Sequence, residues 1–216
     1  MPEVSVDAST LIEWGVAALT LPGETYSGDL HLVKGVSGGA LVAVVDGLGH
    51  GEEAATAART AVATLEQHAD DAVAALLERC HWALKGTRGV VMSVVHIDPH
   101  ERALTWAGVG NVEALLIHGA PAPRAAAGRT SLVTRGGIVG SELPPIRAQR
   151  LPLATGDMLL LATDGVREGF VDGLPLDGPA QRLADQILAR HKKGTDDALV
   201  LVARYRRYRG GPPPSG

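Results

Sequence analysis

The stretch LVAVVDGLGHGEEA, residues 41–54, carries the decisive pattern. Leu41–Val45 is a short, aliphatic and largely β-branched run, the composition of a buried strand. Asp46 and Gly47 break it at once. An Ala-rich segment then runs from Gly51 to about His68, with Ala55, Ala58, Val62 and Leu65 along one helical face. Glu52 and Glu53 fall in its first turn, where carboxylates favour the positive helix end. A strand therefore delivers an acid at its tip and passes directly into a helix.

Working outward, two further helices carry the same period. Val73, Leu76, Leu77, Cys80 and Leu84 share a face, with Asp70 or Asp71 available as the cap and Gly86 as the stop. A third spans Pro179 to Lys193, with Leu183, Ile187 and Leu188 inward, Pro179 in its first turn and Gly194 at its end. The remaining apolar runs read as strands: Val90–Ile97, Ala103–Trp106, Val112–His118, Gln149–Leu153, Met158–Ala162 and Ala198–Tyr205. Asp98-Pro99-His100-Glu101 joins two of them as a hairpin turn. This order lacks the βαβ alternation of a doubly wound sheet. It predicts an α+β fold, with antiparallel sheets packed together and helices outside.

The 216 residues fit one domain. Hydrophobic residues make up 45% and aromatics 3%, so the core is built from Ala, Val and Leu. A net charge of −4 gives no basic face for nucleic acid. No apolar run approaches the roughly 20 residues needed to span a bilayer, and the N-terminus lacks the order of a secretory signal. One cysteine makes no intramolecular disulfide. The expectation is a cytoplasmic protein without nucleic-acid or membrane partners. Residues 1–205 form the single expected domain, with a surface loop at 119–128. Residues 206–216, first basic and then Pro/Gly-rich, are expected to be a disordered tail.

Four acidic positions share an unusual context. Asp29 follows Gly28 just ahead of a strand; Asp46 ends one and precedes Gly47; Asp164 follows the Met158–Ala162 strand and precedes Gly165; Asp196 and Asp197 precede the last strand. Converging carboxylates at buried strand tips repel one another unless a cation neutralises them. All-oxygen donors select hard divalent ions, Mg²⁺ or Mn²⁺. Two such ions ~3.5–4 Å apart generate a hydroxide at neutral pH and clamp a phosphoryl group for in-line attack. Gly47 lets the backbone approach closely, so its carbonyl can add a ligand. Cys80 lies on an apolar helix face, so no cysteine nucleophile competes with this reading. A lone Asp-Gly is an ordinary turn, the reading that suits Asp157 and Asp172-Gly173.

The segments AVVDGLGHGEEA (43–54), ATDGV (162–166) and TDDALV (195–200), with Gly28-Asp29 ahead of them, resemble the successive signatures of the PPM (type 2C) metal-dependent protein phosphatases. The variety is similar to the bacterial SpoIIE-like branch, and the single-domain size to the RsbX-type feedback phosphatases of the stressosome. Glu78-Arg-Cys, Lys85-Gly-Thr-Arg-Gly89 and Gly108-Val-Gly-Asn-Val112 add to that likeness. The resemblance implies a β-sandwich flanked by helices in four α/β/β/α layers. It implies two divalent metals, Mn²⁺ or Mg²⁺, and hydrolysis of phosphoserine or phosphothreonine by a metal-bridging hydroxide. The implied partner is a phosphorylated stressosome scaffold or anti-sigma-factor antagonist. A pseudophosphatase that only binds a regulatory protein is the alternative.

Carried over residue by residue, the resemblance makes Asp46 the bridging ligand and the Gly47 carbonyl its companion. Asp164 and Asp196 complete the second site, and Asp29 holds a metal directly or through water. Asp197 is then a neighbour supporting the ligands. His50 stands either as a general acid or as a helix-capping or packing residue. Arg88 or Lys85 contacts the substrate phosphate or serves as a helix-end charge, and Asn111 lines the site or only makes a turn.

Overall fold

The computed structural model describes residues 7–119 and 128–206. A helical turn, α1 (Ala8–Leu11), leads into β1 (Ile12–Leu19), β2 (Asp29–Val36) and β3 (Gly39–Gly47). Helices α2 (Gly51–Gln67) and α3 (Val73–Ala83) follow, then β4 (Val90–Asp98), β5 (Ala103–Val109), β6 (Glu113–Ile117), β7 (Arg129–Leu132), β8 (Gln149–Pro152) and β9 (Met158–Ala162). The chain ends its regular structure with α4 (Ala180–His191) and β10 (Ala198–Tyr205).

Two five-stranded sheets, ordered β1-β10-β9-β6-β7 and β2-β3-β4-β5-β8, pack face to face, and every ladder is antiparallel. Helices α2 and α3 cover the outer face of the second sheet and α4 that of the first. The expected α/β/β/α sandwich is the observed one.

Strand alternation explains why the central strands read as unbroken apolar runs. On β3, Ala40, Val42 and Val44 face the inter-sheet core while Leu41, Ala43 and Val45 face α2 and α3. On β9, Leu159 and Leu161 point inward and Leu160 and Ala162 toward α4. Both faces are covered, so both registers must be apolar.

Strands β1 and β7 were not anticipated from the sequence. Both are edges. In β1, Gly15 interrupts the pattern because α4 presses on it: a Cβ there would lie 2.2 Å from the Gln181 Cα. In β7 only Leu132 is buried, so RTSL carries no apolar signal. The Asp98 turn is as expected, its Oδ1 accepting the amides of His100 (2.9 Å) and Glu101 (3.0 Å). The cap of α3 differs. Ala72 holds that position without a side-chain bond, because Asp70 accepts the Ser37 amide and Asp71 pairs with Arg79. Pro179 stands at the cap of α4, one residue before the first turn. Arg206 donates its amide to Leu11 O at 2.7 Å, so the chain stays tied one residue past the expected boundary. The rest of the tail and the interior of the 119–128 loop lie outside the described residues.

Candidate functional site

The inward register of four strands runs out at one end of the sandwich, and polar side chains take over there. Asp46 continues the inward series of β3, and Asp29 opens that of β2; the two are cross-strand partners. Thr163 extends Leu159 and Leu161, while Asp197 precedes Leu199 and Leu201, all of them inward. Asp164 and Asp196 lie one step further along. The two sheets thus deliver acids to one place from opposite sides of the core.

Glycines permit the close crossing. A Cβ on Gly47 would fall 2.2 Å from Ala54 O, where the first turn of α2 rests on the strand end. One on Gly165 would fall 1.8 Å from Asp197 O. The Gly47 amide also donates to Gly28 O at 3.0 Å, locking the Asp29 and Asp46 segments together.

The electrostatics of the cluster are adverse to its charge. Burial first, then the charges of Asp29, Asp164, Asp196 and Asp197, pushes the Asp46 carboxyl up to about 9. Among the described residues no hydrogen-bond donor reaches the Asp46 side chain. Burial likewise raises Asp29 to about 7, opposed by a hydrogen bond from Thr163 and reinforced by Asp197, Asp196 and Asp164. Asp196 is raised by burial and by Asp164 and Asp197, and lowered by the Asp197 amide and by His50.

Asp197 is 3% exposed, and its oxygens accept the amides of Leu21 (2.7 Å) and Gly28 (2.6 Å). Its carboxylate is committed to anchoring the 21–28 loop. Asn111 donates from Nδ2 to Asp164 Oδ2 at 2.8 Å. His50 is the cap residue of α2 but makes no capping bond; its Nδ1 lies 2.6 Å from Glu24 Oε1. Arg88 pairs with Glu53 and its guanidinium lies against Gly49, beside the turn that follows Asp46. Lys85 reaches Ser141 O and the Trp82 ring, away from the acids. Cys80 is buried, its thiol pushed up to about 12. Thr163 was missed from the sequence; counting the β9 alternation forward from Leu159 would have placed it inward.

Among the described residues, no three acidic, His or Cys side chains already stand as a closed metal-holding group. The donor set nonetheless fits hard divalent cations. It is all oxygen and partly to fully buried, and burial, reinforced by the neighbouring acids, raises Asp29, Asp46 and Asp196, a cost that a cation would relieve.

A two-sheet sandwich between helices is the fold shared with solved PPM-type phosphatases. The family model described as Stage II sporulation protein E (SpoIIE) matches residues 37–206, and the chain belongs to that family. The phosphoserine phosphatase RsbX of Bacillus subtilis (strain 168) is 31% identical over 113 residues, covering 52% of this chain and 57% of that protein. The match therefore spans little more than half the length of this curated relative. A structure reported as "The bacterial stressosome: a modular system that has been adapted to control secondary messenger signaling" superposes with TM-score 0.80 at 31% identity, over 89% of this chain and 99% of that one. A crystal structure of RsbX in complex with magnesium gives TM-score 0.79 at 22% identity, over 90% and 96% of the two chains.

Proposed function

We propose that the protein is a metal-dependent phosphoserine/phosphothreonine protein phosphatase acting on a folded regulatory phosphoprotein, a stressosome scaffold or anti-sigma-factor antagonist. The observation that carries the reading is Asp46: a largely buried carboxyl without a donor, facing four other acids drawn from both sheets. No packing role requires such a group, and a divalent cation is the partner it lacks.

Asp46, the Gly47 carbonyl, Asp164 and Asp196 would hold two cations, Mn²⁺ or Mg²⁺, with Asp29 as a further oxygen donor direct or through water. When bound, such ions supply Lewis acidity, lowering the pKa of water and neutralising charge on phosphoryl oxygens. The protein's own groups do the rest. Asn111 fixes one oxygen of Asp164 and so orients the other. Asp197 holds the Gly28 segment, and through it the backbone of Asp29. Arg88, beside Gly49 and paired with Glu53, would exchange that partner for a substrate phosphate at the rim of the site.

A groove of about 440 Å³ begins at Asn111 and runs between β6, β7 and the turn at 168–171, lined in part by Glu113, Arg129, Ser131 and Thr134. It is suited to a polypeptide flanking the reacting residue. Affinity is then drawn from contacts remote from the phosphate, and that binding energy orients it. A relative named as a phosphoserine phosphatase and a structural neighbour reported with the bacterial stressosome support this substrate class. The test is a side-by-side phosphate-release assay at equal Mn²⁺. The folded phosphoprotein should exceed its isolated phosphopeptide in kcat/KM by a factor on the order of 100 or more, the effect of lost remote binding energy. Equal efficiency would mean that recognition is local. No turnover of either would favour the pseudophosphatase alternative.

A further inference from the structure

We propose that Thr163 is a positioning residue for the metal-binding acids: its hydroxyl reaches across from one sheet and fixes the Asp29 carboxylate of the other. The inference rests on the proposed metal-dependent site and concerns how one of its donors is aimed.

The geometry leaves the Thr163 hydroxyl little choice. Its Oγ1 accepts the Leu199 amide at 2.8 Å, and the Thr163 amide donates to Leu199 O at 3.0 Å. Two bonds to β10 therefore set the residue independently of Asp29. A threonine hydroxyl has one proton to give. With Oγ1 already accepting from Leu199, that proton is directed to Asp29 Oδ2, 2.7 Å away, rather than to Leu199 O at 3.5 Å. Both partners are buried, Thr163 at 2% and Asp29 at 4% exposure, so water does not compete.

The backbone of Asp29 is fixed separately. Ser27 Oγ accepts its amide at 3.1 Å, and Asp197 accepts the preceding Gly28 amide. Asp197 and Thr163 flank the same stretch of the first sheet, so β9 and β10 together hold an acid that belongs to β2. One carboxylate oxygen of Asp29 is committed to Thr163, which leaves the other for a cation. Partners of this kind, one bond removed from the metal, are worth roughly 10–100-fold in affinity.

The test is calorimetric titration of Mn²⁺ into metal-stripped, folded protein, with melting temperature recorded alongside. Thr163→Val keeps the shape and removes the donor, and should weaken Mn²⁺ binding by roughly 10–100-fold. Thr163→Ser restores the hydroxyl and should stay within about threefold of wild type, well short of that loss. Thr163→Ala, read in the same way, serves if the valine variant does not fold. In an Asp29→Asn background the Thr163 substitution should have little further effect on affinity, since its action runs through Asp29. A Thr163→Val or Thr163→Ala protein that melts lower yet binds Mn²⁺ like wild type overturns the proposal and makes Thr163 a brace between strands. If wild type itself takes up no divalent cation, the proposed metal-dependent function fails instead, and the two failures are distinguishable.

Discussion

Strand β9 has an acid at each end, and the fold treats the two in opposite ways. Asp157, one residue before the strand, is 2% exposed, and its carboxylate accepts the amides of Gly119 (2.8 Å) and Ala154 (2.9 Å), with His118 Nδ1 at 3.3 Å. Beyond the other end, Asp164 accepts a single N–H, from Asn111, and otherwise meets Asp29, Asp46 and Asp196, of which Asp46 receives no donor among the described residues. A buried acid surrounded by N–H groups is part of the scaffold, closing a turn. Buried acids turned toward one another oppose the scaffold, and persist where an outside cation offsets the cost.

The comparison is broken most directly by exchanging the two behaviours. Asp46→Asn should lower turnover of p-nitrophenyl phosphate by roughly 1,000-fold or more, the scale of losing a principal electrostatic contact in catalysis. The same change should leave the metal-free melting temperature unchanged or raised, because the folded state no longer has to hold a carboxyl protonated that ionises freely in the unfolded chain. Asp157→Ala should do the reverse. It removes the acceptor of two part-buried amides, at roughly 0.5–1.5 kcal/mol each, lowering Tm by on the order of 5 °C, with ester turnover within about threefold of wild type, as for a site remote from the chemistry. Loss of turnover without loss of Tm in that variant would erase the distinction.

The pH dependence sharpens it. In the metal-free protein Asp46 and Asp29 are raised from 3.8 to about 9 and about 7. The folded state therefore binds more protons than the unfolded state between about pH 4 and 9. Stability must fall as pH rises through that window, since raising pH favours the state with fewer bound protons. Melting in EDTA at pH 5, 7 and 9 should show this decline, and Asp46→Asn should remove most of it above pH 7. A profile that rises with pH would contradict the assignment.

The fold was legible in the sequence wherever burial was two-sided. Leu41–Val45 and Met158–Ala162 announce themselves because both registers are apolar. The edges were not: β7 buries a single side chain, and β1 carries Gly15 for the sake of α4. The acids of the candidate site were legible because each sits at the tip of an apolar run. Of their supports, Asp197 and Asn111 were named through the family resemblance, while Thr163 was not, because it acts through a hydrogen bond made across the fold. His50 shows the same limit. It caps α2 by position, yet its bond goes to Glu24, a residue in a loop without periodicity.

The smallest effect is expected at Asp172, the Asp-Gly acid read as a turn. Its side chain is 64% exposed and pairs with Arg129. Such surface pairs contribute about 0–1 kcal/mol, so Asp172→Asn should shift Tm by no more than about 2–4 °C and leave turnover unaltered. A larger loss of turnover would bring Arg129, and the groove it lines, into the chemistry.

The central claim is that the acids at the end of the sandwich work by holding divalent cations. It is tested by phosphate release from a phosphorylated substrate before and after exhaustive EDTA treatment, with Mn²⁺, Mg²⁺ or Ca²⁺ then added back. Stripping should abolish release, and Mn²⁺ or Mg²⁺ should restore it. Ca²⁺ should not, because its larger radius and looser coordination do not reproduce the geometry that the smaller ions impose. Full activity in the stripped protein would contradict the account.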